Sequence, residues 1–179
     1  MRPISVLALL GGLLLVSGCT PEVPLVTPPP SPSAEPAFAT EEEALAAAEE
    51  AYAAYLAVSD QILMDGGADP ERLLEVATRE VFEIELEGYE FMASEGLVST
   101  GGSRIHSVQL QQYSPSTPER LVAAYFCVDL SEVDVLDATG TSVVAESRRD
   151  KNQFEVVFAL RVSRLVVAEK AMWDGDGVC

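Results

Sequence analysis

The chain has 179 residues, with 11 Lys+Arg against 29 Asp+Glu and a formal net charge of -18. That balance argues against nucleic-acid binding, which needs cationic side chains at the phosphates, and against an electrostatic hold on anionic lipid. It suits an acidic surface kept soluble by its own charge, and it localises no cationic ligand.

The start is short and positive, Met1-Arg2-Pro3. An apolar run over 4–16 follows, then Ser17, Gly18 and Cys19. Charge, apolar stretch and small-residue cleavage site in that order predict a secretory signal peptide over 1–18. The run is shorter than the roughly 20 residues that span a bilayer as a helix, and no later segment is longer and apolar enough. Val16-Ser17-Gly18-Cys19 resembles the lipobox of bacterial lipoproteins. The resemblance implies cleavage before Cys19 and a thioether-linked diacylglyceryl group on its sulfur. The competing reading is an ordinary signal peptide with Cys19 a free thiol, a reactive liability at an exported N-terminus. Two acyl chains hold stably without a basic patch. The implied partner is therefore the membrane, and the implied location is its extracytoplasmic face, lipid-anchored.

Residues 19–39 hold Cys19 and then a disordered linker rich in proline, from Pro21 and Pro24 through Pro28-Pro29-Pro30 to Pro32 and Pro36. Such a segment favours extended polyproline II, which at about 3.1 Å per residue holds a domain up to roughly 60 Å off a membrane. A ligand for aromatic grooves is the other use of such a stretch. With Cys19 assigned to lipid, Cys127 and Cys179 remain. Two thiols in an oxidising compartment predict one disulfide rather than two free thiols. It would close a loop of about 53 residues, stabilise the fold by roughly 4 kcal/mol, and pin the last residue.

Residues 40–179 are one domain by size. Thr40 and Glu43 form a capping box, with Glu41 and Glu42 at the positive helix start. Leu45, Ala48, Tyr52, Tyr55, Leu56, Ile62 and Leu63 have helical spacing, and Gly66-Gly67 ends the helix. Asp69-Pro70 reads as an N-cap opening a short helix through Ala77. Over 78–94, Phe82, Leu86, Tyr89 and Met92 fit a helix face, while 81–87 also alternates as a strand would; length and glutamate content favour helix. After Gly101-Gly102 the pattern becomes strands. Over 104–113, His106, Val108 and Leu110 share a face. Over 120–130, Val122, Ala124, Phe126, Val128 and Leu130 oppose Leu121, Ala123, Tyr125 and Cys127. Asp137-Ala138-Thr139-Gly140 is a turn, 142–147 a further strand, 148–153 a polar loop, and 154–161 with 165–173 a closing pair joined near Ser163. Helices first and strands after is an α+β order.

Helices followed by a curved antiparallel sheet resemble the cystatin-like cone fold of SnoaL-like, ketosteroid-isomerase-like and nuclear-transport-factor-like domains. Cys127-Val128-Asp129-Leu130, the string from Val133 to Gly140, Leu165-Val166-Val167, Trp173-Asp174-Gly175 and the final Cys179 resemble exported lipoproteins of high-GC Gram-positive bacteria that carry such a domain. The fold hosts enzymes, binding modules and assembly domains, so it assigns no function by itself. Its enzymes pair an Asp or His base with Tyr or Asp donors inside the cone. The residue types available here are His106, Tyr89 and Tyr125, with no motif to carry roles across.

His106 has no partner His or Cys at metal-ligand spacing, which speaks against a metal site, and no cofactor motif is present. Asp174-Gly175-Asp176-Gly177 begins like a calcium loop, but Val178 and Cys179 break the pattern. The glutamate runs 41–43 and 83–87 read as solvated faces. The leading expectation is a non-catalytic module that binds an envelope protein or a small ligand. The alternatives are an isomerase- or dehydratase-like enzyme using the cone pocket, and a homodimer formed through the open sheet face.

Overall fold

A computed structural model describes residues 36–179. The signal segment, Cys19 and the linker up to residue 35 lie outside the described residues. Helices α1 (Glu41–Met64) and α2 (Arg79–Glu95) precede strands β1 (Val98–Thr100), β2 (Arg104–Tyr113), β3 (Val122–Asp129), β4 (Asp134–Leu136), β5 (Lys151–Arg161) and β6 (Arg164–Met172). The domain is α+β. A four-stranded antiparallel sheet has the order β2-β3-β5-β6, and β1 pairs with β4 in a separate small ladder.

The Thr40 hydroxyl accepts from the Glu43 N–H at 3.1 Å, satisfying a free donor of the first turn of α1. Glu43 reaches back to the Ala39 N–H at 2.9 Å, one residue further out than in the usual capping box. The fold begins ahead of Thr40. The Tyr113 hydroxyl accepts from the Phe38 N–H at 3.1 Å and donates to the Phe38 carbonyl at 2.7 Å. Helix α1 buries Ala44, Ala48, Tyr52, Tyr55 and Ile62. Just after it, Gly67 has φ 82°, and a Cβ there would lie 2.1 Å from the Tyr89 carbonyl oxygen. Only glycine lets the chain leave α1 so close to α2.

The short helix read from Asp69-Pro70 is a 3-10 turn over Pro70–Glu75, and the Asp69 side chain caps nothing. Arg72 tightens this turn, donating to the Asp65 carboxylate at 2.8 Å and to the Ala68 carbonyl at 3.0 Å. Ala77 then forms a parallel bridge with Val167 of β6, and this sheet pairing draws the chain out of helix before α2 starts. Over 79–95 the helical period prevails, because Val81, Phe82, Tyr89 and Met92 all bury on one side of α2.

Along β3, the side chains of Val122, Ala124, Phe126 and Val128 face the helices. Tyr52 packs on Phe126 at 4.4 Å between ring centroids, and Phe126 on Phe158 at 6.0 Å. These rings fill the space between helices and sheet. Ala123, Tyr125 and Cys127 point to the other side, as their alternation requires.

Strand β2 departs from simple alternation. Its register with β3 shifts between Ile105 and Ser107 and again between Leu110 and Gln112. Each extra residue inverts the faces, so Ile105, not His106, joins Val108 and Leu110 on the core side. Over 142–147 the expected strand is absent apart from a single bridge between Leu136 and Ser142. One edge of β4 pairs with β1; along the other the Val143 N–H donates to the Val135 carbonyl at 2.9 Å and the Ser142 hydroxyl to the Asp134 carboxylate at 2.6 Å, contacts of a turn rather than a ladder. The Asp137 turn is present, its carboxylate accepting from the Thr139 and Thr141 N–H groups at 2.8 and 3.0 Å. Strand β5 starts at Lys151, inside the segment read as polar loop, because it continues its ladder to Asp129. Val162 and Ser163 make the tight turn to β6.

Candidate functional site

The three residues with side chains suited to cone-pocket chemistry are not brought together. Tyr89 is buried between α1 and α2, with its hydroxyl 2.9 Å from the Ser59 hydroxyl. Burial pushes its phenol up to about 12. Tyr125 lies on the opposite side of the sheet, stacked on Trp173 at 4.3 Å and accepting from the Gln111 amide at 2.9 Å. His106 is exposed, with Nε2 2.9 Å from Lys151 Nζ. Lys151 pairs with Asp129 in register, which puts His106 at the outer face as well. No base-and-donor constellation arises from this trio.

A polar cluster that the sequence reading passed over lies at the helix–sheet boundary. Lys170 of β6 sits opposite Val156, on the side facing the helices. Its ammonium is 2.5 Å from the Glu85 carboxylate of α2 and donates to the Tyr55 hydroxyl at 3.1 Å. It also lies 5.2 Å from the Tyr55 ring and 5.6 Å from the Phe154 ring. Glu85 is therefore a half-buried, paired carboxylate, not a member of a solvated face. Burial first, and the Glu85 charge second, drive the Tyr55 phenol far upward, so it stays protonated. The ammonium and carboxylate partner each other internally, which makes the cluster a tie between α1, α2 and β6. One signal for it was available: Lys170 is one of only two lysines in the chain. Its position in the alternation of the last strand points inward once the bulge between Val157 and Phe158 is allowed for.

The outer side of the sheet is crossed by the end of the chain. Cys127 and Cys179 form the expected disulfide. The Gln153 side chain clamps the tail: its oxygen accepts from the Val178 and Cys179 N–H groups, both at 3.2 Å, and its nitrogen donates to the Gly175 carbonyl at 2.8 Å. Val178 is buried, and its carbonyl accepts from the Ser107 hydroxyl. A Cβ on Gly175 would lie 2.0 Å from the Trp173 ring, so the tail closes over Trp173 only with glycine there. The Asp174–Gly177 string is thus part of a strap. Among the described residues no cluster of three or more potential ligands could hold a metal ion. Nor is any described helix long and apolar enough to cross a membrane.

Two hollows among the described residues lie beside α1, outside the aromatic interior. A cleft of about 390 Å³ runs beside α1, lined by Phe38, Ala51, Val76 and Leu165 with Glu50 and Arg164. An open trench of about 700 Å³ follows another side of α1, past Ala53, Leu56, Ala57 and Ile105. Helix α2 presents Ile84 and Phe91 outward, 72% and 57% exposed.

These features define an α+β domain of two helices on an antiparallel sheet, with a side-chain-filled interior and a disulfide-bonded tail. No family model matches the chain, and no curated protein matches it. Among solved structures it is similar to the intermembrane space region of the chloroplast protein ARC6, with 13% identity, 72% of this chain and 95% of that chain covered, and a TM-score of 0.51. At that identity the likeness shows the fold alone. A de novo designed β-sheet protein aligns over 72% of this chain and 89% of its own, with 14% identity and a TM-score of 0.34, too low to bear on the argument.

Proposed function

We propose that this chain is an exported bacterial lipoprotein, anchored through a diacylglyceryl group on Cys19, whose cone-type SnoaL-like domain serves as a non-catalytic protein-binding module on the extracytoplasmic face. The observation that carries the binding role is the filled interior. Tyr52, Phe126 and Phe158 pack against one another between the helices and the sheet, which favours recognition on the outside of the domain over chemistry within it. The Cys127–Cys179 bond supports export, since such bonds persist in oxidising compartments. The separation of His106, Tyr89 and Tyr125 weighs against an isomerase- or dehydratase-like enzyme. The tail crossing the outer sheet weighs against dimerisation there.

Cross-linking on whole cells followed by mass spectrometry tests the proposal. The expected result is a reproducible envelope-protein partner. The opposite result is a measured turnover that His106→Ala or Lys170→Met abolishes while the fold stays intact.

A further inference from the structure

Helix α2 buries one side and leaves another bare. Ile84 and Phe91 are 72% and 57% exposed. Seven residues apart, they stand one above the other two turns along the helix. Gly88 lies between them, and a Cβ placed on it would meet nothing within 4 Å. Two apolar knobs therefore flank a notch.

Beyond Arg79 in the first turn, the charge beside this stripe is all negative. Glu87 follows Ile84 by three positions and precedes Phe91 by four, so it borders both, and Glu83 and Glu90 extend the same flank. All three are exposed, and none joins an ion pair among the described residues. The last turn of α2 contains Glu95 and no basic residue. Acid at the negative end of a helix is unfavourable, so α2 carries both uncovered apolar surface and uncompensated negative charge.

We infer that this face of α2 docks a cationic amphipathic helix of a partner protein. Apolar side chains of the partner would cover Ile84 and Phe91 and enter the notch at Gly88, while its Lys or Arg residues would pair with Glu83, Glu87 and Glu90. A second copy of this chain does not fit, because it would set two glutamate rows against each other. An anionic bilayer is repelled for the same reason. The inference deepens the binding-module reading and rests on it.

The test uses full-length protein in nanodiscs of zwitterionic lipid, titrated calorimetrically with a synthetic Lys–Leu peptide of helical periodicity, with empty nanodiscs as blank. The expected result is saturable binding that Phe91→Glu and Ile84→Glu each weaken about tenfold or more. The triple variant Glu83→Gln, Glu87→Gln, Glu90→Gln should weaken binding and flatten its dependence on salt. A peptide of the same composition with scrambled order should bind at least about tenfold more weakly, since it offers no continuous apolar face. Equal affinity of wild type and F91E, or of the ordered and scrambled peptides, overturns the inference. If a glutamate variant fails to fold, Gly88→Arg fills the notch on an open helix surface and gives the same discrimination. Failure of the broader reading looks different: no partner is captured on cells through any face. Failure of this inference alone leaves captured partners whose cross-links map away from α2.

Discussion

Replacing Cys127 and Cys179 by alanine removes the covalent link between β3 and the end of the chain, which are 52 positions apart. In the chain-entropy treatment a loop of that size corresponds to about 4 kcal/mol, taken from the freedom the unfolded chain regains. Enthalpic terms of either sign add to this, and a loss of about 2–4 kcal/mol is expected. This is a large share of the roughly 5–15 kcal/mol that holds a domain of this kind together. The tail also loses its anchor. Val178 would leave its buried position, and the bonds from Gln153 to Gly175, Val178 and Cys179 would no longer be held in register. Urea unfolding of oxidised wild type against the double alanine variant reads the magnitude. Heating should show a midpoint lower by roughly 5–15 °C at about 2–4 °C per kcal/mol. The single tryptophan, Trp173, stacks on Tyr125 beneath this strap and reports the tail separately. Its emission should shift to the red in the folded variant. A midpoint within about 0.5 kcal/mol of wild type, the scale of an inert surface change, together with unchanged emission, would refute the reasoning.

Other outcomes follow from the same geometry. Lys170→Met leaves the half-buried Glu85 without its ammonium and should lower stability by about 1–3 kcal/mol, whereas Lys170→Met with Glu85→Leu should recover most of the loss in a double-mutant cycle of urea midpoints. Burial raises Tyr89 to about 12 and displaces Tyr52 and Tyr55 upward as well. The fold favours neutral phenols, so this stabilisation is complete below the unfolded value of about 10 and is lost as pH rises through the folded values. Phenolate absorbance should therefore show these tyrosines ionising together with alkaline unfolding, and independent early titration of all the tyrosines would contradict it. Gly67→Ala and Gly140→Ala impose nearly the same strain, at φ 82° and 81°, but only the first meets a backbone oxygen, at 2.1 Å. Gly140→Ala should cost about 1–2 kcal/mol and Gly67→Ala at least about 1 kcal/mol more, measured by urea unfolding.

Much of this architecture is legible along the chain. The Thr40 cap, the buried period of α1 and α2, the two faces of β3 and the β5–β6 hairpin are all local patterns. Cys127 and Cys179 pair by counting, since assigning Cys19 to lipid leaves two. What escaped is non-local or a matter of one residue. The bulge at His106 depends on how β2 meets β3, and one inserted residue is enough to move a side chain through the sheet. The ladder between β1 and β4 joins two three-residue segments too short to show a period. The Glu85–Lys170–Tyr55 cluster joins three elements that are remote in sequence, and no spacing rule relates them. Glu85 looked solvated because its neighbours Glu83 and Glu87 are. On a helix, adjacent glutamates point in different directions, and only the packing partner reveals which one turns inward.

The anchoring of this domain is most directly tested by the intact mass of the full-length gene product isolated from bacterial membranes. The expected species begins at Cys19, carries a diacylglyceryl group on that residue, and weighs two hydrogens less than its reduced form because Cys127 and Cys179 are joined. A chain that keeps residues 1–18, or one cut elsewhere with no lipid on Cys19, would contradict the proposal that this protein is a membrane-tethered lipoprotein.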